Sequence, residues 1–271
     1  MTAPRSPYKD VLRDLAGEHA DLDAIVAGVD DDAWELATPA PGWSVRDQIL
    51  HLAYFDARAR EALVDPDGFD ADVAAIQAGE GLEAWLADHL AAAQSLTPGE
   101  LLAWWRAERS SLLAALAAAD PAARVPWYGP PMGAVSFASA RLMETWAHGQ
   151  DVADALGITR LPTSRLRHVA HLGVRAMPWS FTIHGLAVPE VDVRVELRSP
   201  DRDLWVWGPE DANDVVRGNA LDFCLVVTQR RHPDDVRLEV YGPVAEQWIT
   251  IAQAFAGPPG PGRAPGQFRD S

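Results

Sequence analysis

The hydrophobic period of the sequence changes once along the chain, and this change constrains the fold more than any other feature. Up to about residue 156, apolar residues recur every three or four positions, as Val11, Leu15 and Leu22 do. Beyond residue 190 they alternate with polar residues, as Val193 and Val195 do. The first pattern is typical of amphipathic helices and the second of half-buried strands. The sequence therefore predicts a helical N-terminal domain and a C-terminal domain that contains a sheet.

Two local motifs indicate where helices of the N-terminal domain begin. Ser44 is followed three residues later by Asp47, a shortened capping box. Thr97 is followed by proline at the first helical position and then by Glu100. Together with the apolar stripes, these starts predict a four-helix bundle over residues 1–160. Its helices are expected from about Val11 to Val26, from Ser44 onward, from Thr97 onward and from about Ser136 to Leu156.

The remaining sequence predicts a small α+β domain over residues 161–257, so the fold class is mixed, α followed by α/β. A linker helix is expected over about 164–177, and period-two alternation predicts strands near 191–197, 204–207 and 237–240. A helix is expected over 214–227 and a closing helix over 245–255. The Pro- and Gly-rich segment 258–271 holds little that can pack, so we expect it to be loose or draped over the surface.

Composition narrows the classes of function. The formal net charge is −16, and the pI is near 4.8. This balance argues against nucleic acid and anionic membranes as partners, because both attract clustered positive charge. No apolar run approaches the roughly 20 residues of a membrane-spanning helix, and the first residues do not resemble a signal peptide. The single cysteine, Cys224, cannot form an internal disulfide. A soluble cytoplasmic protein is therefore predicted.

Three side chains predict a metal site in the helical domain. Glu144 and His148 are four residues apart on the fourth helix, so both leave the helix on one face. His51, beside Leu52 on the second helix, is also expected to point inward. A buried carboxylate beside two imidazoles is costly unless a cation neutralises it, and two His with one carboxylate suit an open catalytic zinc site. The spacing alone is equally consistent with a Glu/His pair that holds no metal.

Four further residues are candidates for roles around this site. Asp151 lies one turn past His148 and is a candidate to orient a ligand imidazole by accepting its free N–H. The alternative is an ordinary carboxylate in the last turn of the fourth helix. Trp43 and Trp146 flank the ligand-bearing segments, and Tyr128 lies in a Pro- and Gly-rich loop before the fourth helix. These aromatic rings are candidate walls for a bound cofactor, and packing is the alternative role.

Four phrases of the sequence resemble a known family, the DinB-like superfamily, and within it the mycothiol-dependent maleylpyruvate isomerase branch. The resemblance implies a DinB-like metal-binding four-helix bundle followed by a sterol-carrier-like α+β domain. It places the family's three metal ligands on His51, Glu144 and His148. The phrases are GWSVRDQ (42–48), VPWYGPPM (125–132), ARLMETWAHGQD (140–151) and AQAFAGPPGPGR (252–263), and the last three resemble an uncharacterised subfamily.

The predicted function is that of a divalent-metal enzyme that activates a low-molecular-weight thiol. Zinc, or alternatively nickel, binds a thiol as the thiolate, and mycothiol is the thiol that the resemblance implies. A thiol cofactor would compensate for the lack of a protein nucleophile, because Cys224 lies in an apolar run. The activated thiol would then be transferred to a small electrophilic substrate, or would isomerise that substrate. A thiol-independent metallohydrolase and a noncatalytic, metal-stabilised carrier of a small ligand remain alternatives.

Arginines are needed to bind the acidic groups of such a substrate or thiol. The isomerase branch uses an essential arginine of its second domain, so the resemblance makes Arg230 and Arg231 candidate catalytic residues. A solvated turn is the alternative for this pair. The partners expected are thus the thiol and the small electrophile, and a homodimer is left open.

Overall fold

The computed structural model describes residues 6–79, 81, 84–85, 90–91 and 93–268. The chain divides into two compact units, and the division falls between Thr159 and Arg160. Among the described residues, no helix has the length and apolar character needed to cross a membrane.

The first unit is built mainly of helices. Helix α1 (Pro7–Val26) contacts α4 (Pro98–Ala118) and α5 (Ala134–Ala155), and α2 (Val45–Val64) contacts the same two helices. Leu15 and Leu22 of α1, Ile49 of α2 and Trp105 of α4 are fully buried. The unit also contains α3 (Pro66–Ala78) and a short hairpin of β1 (Arg124–Val125) and β2 (Met132–Gly133) before α5.

Both predicted helix starts are confirmed. The Ser44 side chain accepts a hydrogen bond from the Asp47 amide, and the Asp47 carboxylate accepts one from the Ser44 amide at 2.8 Å. Thr97 and Glu100 form the same reciprocal pair at the start of α4. Each pair satisfies backbone N–H groups that have no partner within the helix, and the first pair sets where α2 begins and therefore where His51 lies.

Helix α3 follows α2 directly. The segment from Asp65 to Gly68, whose residue types are common in turns, begins this helix. Asp65 caps this helix by accepting a hydrogen bond from the Gly68 amide at 3.1 Å, and Pro66 occupies the first turn. Proline is well tolerated there because its missing N–H would have had no partner, so the same residues end one helix and start the next.

The second unit contains helices and a four-stranded sheet. Its elements are α6 (Leu166–Arg175), α7 (Met177–Ile183), β3 (Val193–Arg198), β4 (Leu204–Trp207), β5 (Asp214–Asn219), α8 (Ala220–Val227), β6 (Leu238–Tyr241) and α9 (Pro243–Ile251). The strand order in the sheet is β4-β3-β5-β6. The strands β3 and β5 are parallel, and the outer pairings are antiparallel. Helices α8 and α9 pack on this sheet, with Phe223 and Trp248 in contact and fully buried.

One expectation for this unit was wrong, and one helix was missed. The helix expected over 214–227 is strand β5 followed by α8, because Val216 pairs with Val195 of β3 in the sheet. The expected linker helix is present as α6, and the missed helix is α7, which follows it and has Pro178 in its first turn.

The tail is draped rather than loose up to residue 268. The Gly266 amide donates to the Asp235 carboxylate at 2.8 Å, and the Arg231 guanidinium lies 3.6 Å from the centre of the Phe268 ring. Residues 269–271 of the predicted tail lie outside the described residues.

Candidate metal centre

The structure brings the three predicted ligands together. His51 comes from α2, and Glu144 and His148 come from successive turns of α5. Glu144 Oε2 lies 3.2 Å from His148 Nε2 and 3.7 Å from His51 Nε2. One potential ligand atom from each residue lies within 4.8 Å of the other two. Two helices that pack directly on each other thus converge on one point.

The ionisation states of the site suit a cation. Burial lowers the pKa of His51 to about 4, and the nearby imidazole of His148 acts in the same direction. Burial by itself would raise the pKa of Glu144, but the adjoining imidazoles of His148 and His51 hold that pKa well below its usual value. At neutral pH the carboxylate is therefore ionised and His51 is neutral, which is the state in which each binds a metal.

The donor set and its spacing fit a divalent metal ion. Ligands about 2.0 Å from a tetrahedral zinc ion lie about 3.3 Å from one another. The measured separations of 3.2 and 3.7 Å bracket that value. Within the part of the chain that the structure describes, the cluster has three members and no fourth protein ligand. Three protein ligands leave one coordination position for a water molecule or a substrate.

Aromatic rings surround the imidazoles. The Trp43 ring stacks on His148 with its centroid 5.8 Å away and a 22° angle between the planes, and it also lies 5.3 Å from His51. Phe55 packs against His51 at 4.6 Å. Tyr128 contacts Phe55 at 6.0 Å, so it reaches the site through one intervening ring. Trp43 thus contacts both imidazoles directly, whereas Tyr128 is separated from them by Phe55. The role of either ring as a wall for a cofactor stays a prediction.

Trp146 and Asp151 are placed differently from what was expected. Trp146 is buried and lies two residues from both Glu144 and His148, so it leaves α5 on the opposite side. Asp151 does not orient a ligand imidazole, because Nδ1 of His148 pairs with Gln48 and Nδ1 of His51 has no hydrogen-bond partner among the described residues. Side chains in a helix point toward its N-terminus. The His148 ring therefore lies over the preceding turn, which holds Glu144, and points away from Asp151 in the following turn.

Sequence reasoning missed the residue that does contact His148. Gln48 is fully buried on α2, and its Oε1 lies 2.5 Å from His148 Nδ1. A signal was present, since Gln48 precedes His51 by three residues and therefore shares its helix face.

A second missed feature is a charged cluster next to the site. Asp56 Oδ1 accepts hydrogen bonds from Nε and Nη2 of Arg141 at 3.1 and 2.9 Å. The other carboxylate oxygen of Asp56 lies 3.7 Å from His19 Nε2. All three side chains are buried, and Arg141 precedes Glu144 by three residues on α5. The cluster therefore anchors the turn of α5 that carries the carboxylate of the candidate site.

His19 is expected to make stability depend on pH. Burial lowers its pKa to about 4 from an ordinary 6.5. The unfolded chain then binds the proton more readily, so the stabilisation is complete above pH 6.5 and is lost as the pH falls toward 4. At about 1.4 kcal/mol per unit, the loss approaches about 3 kcal/mol. Urea unfolding of metal-free protein at several pH values should show a flatter profile for His19→Leu than for the wild type.

The matched control for this prediction is His232→Gln, which changes a histidine of the second unit that is not fully buried. This variant should keep the wild-type slope between pH 6.5 and 4. A His19→Leu profile as steep as that of the wild type would show that His19 does not carry the effect.

The two candidate arginines lie in the turn after α8. Arg230 Nη1 donates to the Thr228 carbonyl at 2.6 Å, and Arg231 Nη1 donates to the Arg230 carbonyl at 2.7 Å. Arg231 also lines a small pocket of about 100 Å³ within the second unit, together with His184, His232 and Arg263. Their catalytic role stays a prediction.

Cys224 is confirmed as a buried residue. It is fully enclosed, and burial raises the pKa of its thiol well above the usual value. A neutral, enclosed thiol is a poor nucleophile.

A family model describes the first unit. The model of the mycothiol maleylpyruvate isomerase N-terminal domain matches residues 15–153, a little over half of the chain. The chain belongs to this family. The match includes all three residues of the candidate metal centre. A second model, wyosine base formation, matches only residues 190–240, which hold most of the sheet.

The similar proteins agree with this assignment. Two uncharacterized proteins of Mycobacterium tuberculosis, from strains H37Rv and CDC 1551, are each 47% identical over 252 residues, which is 93% of this chain and 97% of the relative. The crystal structure of the mycothiol-dependent maleylpyruvate isomerase matches with a TM-score of 0.59 and 16% identity, over 89% of this chain and 96% of that one. A histidine-to-alanine mutant of the same enzyme matches with a TM-score of 0.58. The mixed fold, helical with a small sheet, is therefore that of the isomerase.

Proposed function

We propose that this protein is a divalent-metal enzyme that uses mycothiol or a similar small thiol to isomerise, or to transfer the thiol to, a small electrophilic substrate. The observation that carries the proposal is the convergence of His51, Glu144 and His148, with ligand atoms within 4.8 Å of one another. Membership of the mycothiol maleylpyruvate isomerase family supports the choice of thiol and of reaction class.

The metal-binding role falls on the three converging side chains. His51 and His148 would contribute imidazole nitrogens, and Glu144 would contribute the negative charge that offsets a divalent cation. A bound zinc ion, or alternatively nickel, would supply Lewis acidity and favour the thiolate form of a thiol at neutral pH. Trp43 and Phe55 cover the imidazoles with apolar surface, which limits the access of water to them.

A small thiol is proposed because the one cysteine of the chain, Cys224, is enclosed and keeps its proton, so it is not available as a nucleophile. We assign the metal-binding role to a four-helix bundle over residues 1–160. Residues 161–257 are assigned a sterol-carrier-like α+β fold, and Arg230 and Arg231 are assigned as the groups that bind the acidic ends of the thiol or substrate.

The test is to incubate zinc-loaded protein with mycothiol and a panel of electrophiles that includes maleylpyruvate, and to follow products by absorbance and mass. We expect thiol-dependent isomerisation or a thiol adduct that disappears when the metal is removed by a chelator. Turnover that needs the metal but not the thiol would overturn the proposal in favour of the hydrolase. Stoichiometric binding of a small apolar molecule without turnover would overturn it in favour of the carrier.

A further inference from the structure

We propose that Gln48 is a positioning residue that holds His148 as the Nδ1–H tautomer, so that the Nε2 lone pair faces the metal position. The proposal rests on the metal site of the proposed function and adds a residue to it. It follows from a chain of hydrogen bonds that runs from the loop before α2, through Thr38 and Gln48, to the His148 ring.

The chain begins at a backbone carbonyl in the loop before α2. A carbonyl can only accept, so Thr38 Oγ1, 2.8 Å from the Trp43 carbonyl oxygen, must donate its single proton there. The Thr38 backbone amide donates to the same carbonyl at 2.8 Å, which holds the loop in place. The Thr38 hydroxyl oxygen is left with lone pairs only, and it can therefore only accept further hydrogen bonds.

The next step sets the orientation of the Gln48 amide. Gln48 Nε2 lies 3.0 Å from Thr38 Oγ1 and donates to it. The reverse orientation would place the amide oxygen against a hydroxyl oxygen that has no proton to give. The oxygen of Gln48, Oε1, must therefore be the atom that faces His148 Nδ1 at 2.5 Å.

The last step sets the tautomer of the histidine. An amide oxygen can only accept, so His148 Nδ1 must carry a proton. In the neutral ring the other nitrogen, Nε2, then holds a lone pair on the side of Glu144 Oε2, which is 3.2 Å away. A metal ion bound between Nε2 and the carboxylate would use this lone pair, so the hydrogen bond to Gln48 presents the nitrogen that would bind the metal.

The same loop holds the ring from a second side. The Trp43 residue whose carbonyl begins the chain also stacks its indole on His148 at 5.8 Å. Thr38 and Gln48 are both buried, so water does not compete for these hydrogen bonds. One short segment therefore controls both the orientation and the proton position of this imidazole.

The test compares Gln48→Met, which keeps the length of the side chain but removes the acceptor, with Gln150→Met. Gln150 is a buried glutamine two residues from His148 that donates to Asp154 instead. Zinc affinity, measured by competition with a chelating dye, should fall about 10- to 100-fold in Gln48→Met. It should change less than about threefold in Gln150→Met, which leaves the hydrogen bond between Gln48 and His148 in place.

A second readout does not need the metal. In metal-free protein, long-range ¹H–¹⁵N correlations should show His148 protonated at Nδ1 in the wild type and partly at Nε2 in Gln48→Met. Thr38→Val, which removes the first donor of the chain at nearly constant volume, should shift the tautomer in the same direction and would serve if Gln48→Met does not fold.

An unchanged tautomer in these variants, or an Nε2–H ring in the wild type, would overturn the inference. The outcome is separate from the proposed function. If the tautomer and the zinc affinity respond as expected but no thiol-dependent turnover is found, the role of Gln48 stands and the proposed reaction fails.

Discussion

His51→Ala is expected to abolish stoichiometric zinc binding while leaving the helical unit folded. Removing it leaves only Glu144 and His148 of the described cluster, both on one helix, to hold the ion. Loss of a ligand should reduce the zinc affinity by more than the roughly 10- to 100-fold that follows when a residue hydrogen-bonded to a ligand is changed. His51 is only partly buried, and its Nδ1 has no hydrogen-bond partner within the described part of the chain, so the fold loses little when the ring is removed. Metal analysis after dialysis and circular dichroism measure the two parts of the prediction.

The control is His171→Ala, which removes an exposed histidine of the second unit that, among the described residues, is in no potential ligand cluster. It should retain one zinc ion per chain. Stoichiometric zinc in folded His51→Ala would contradict the assignment of the metal centre, and the proposed function would fail with it.

Asp56→Asn is expected to reduce the free energy of unfolding by about 3–5 kcal/mol. The side chain of Asp56 is fully buried and accepts two hydrogen bonds from Arg141, so the substitution leaves a guanidinium charge enclosed without its counter-ion. Removing one partner of a buried ion pair is strongly destabilising, because the other charge stays buried without a partner. Replacing both partners with apolar residues is often neutral or even stabilising. Urea unfolding of metal-free protein at pH 7, followed by circular dichroism, measures the loss.

Two comparisons isolate the cause. Glu35→Gln, which removes the exposed partner of Arg46, should cost less than about 1 kcal/mol, because surface ion pairs contribute little. The double variant Asp56→Leu with Arg141→Met should recover most of the stability, since it removes both charges together. A double variant no more stable than Asp56→Asn alone would show that volume or packing, rather than an unpaired charge, explains the loss.

Local sequence signals were sufficient for the helix starts and for the two candidate ligands on one helix. The capping boxes at Ser44 and Thr97 each form between two residues that are three apart in the sequence. Their formation therefore depends little on contacts with distant parts of the chain. The spacing of Glu144 and His148 likewise puts both on one face of any helix that contains them. The apolar neighbours of His51 indicated that it points inward, and the family resemblance also placed a ligand there. The structure brings it within reach of the other two.

The same local reasoning failed where the partner comes from elsewhere in the chain. Asp151 was the candidate to orient an imidazole because it is close to His148 in sequence, but Gln48 contacts that ring from α2, 100 residues away. The segment 214–227 was expected to be one helix, but its first six residues form a strand because β3 pairs with them. Asp56 and Arg141, 85 residues apart, carried no signal as a pair.

The sequence by itself therefore determined the two kinds of domain, the helix starts and the identity of the candidate metal ligands, because these depend on periodicity, on residues within one or two turns and on recognisable phrases. Only the tertiary structure decided which side chain contacts Nδ1 of His148 and where strand β5 ends and helix α8 begins. It also decided that the buried charges of Asp56 and Arg141 neutralise each other. Each of these three outcomes depends on a residue that is distant in the sequence but adjacent in the fold. The free energy of a hydrogen bond or an ion pair in the core depends on that spatial neighbour, which local sequence patterns do not reveal.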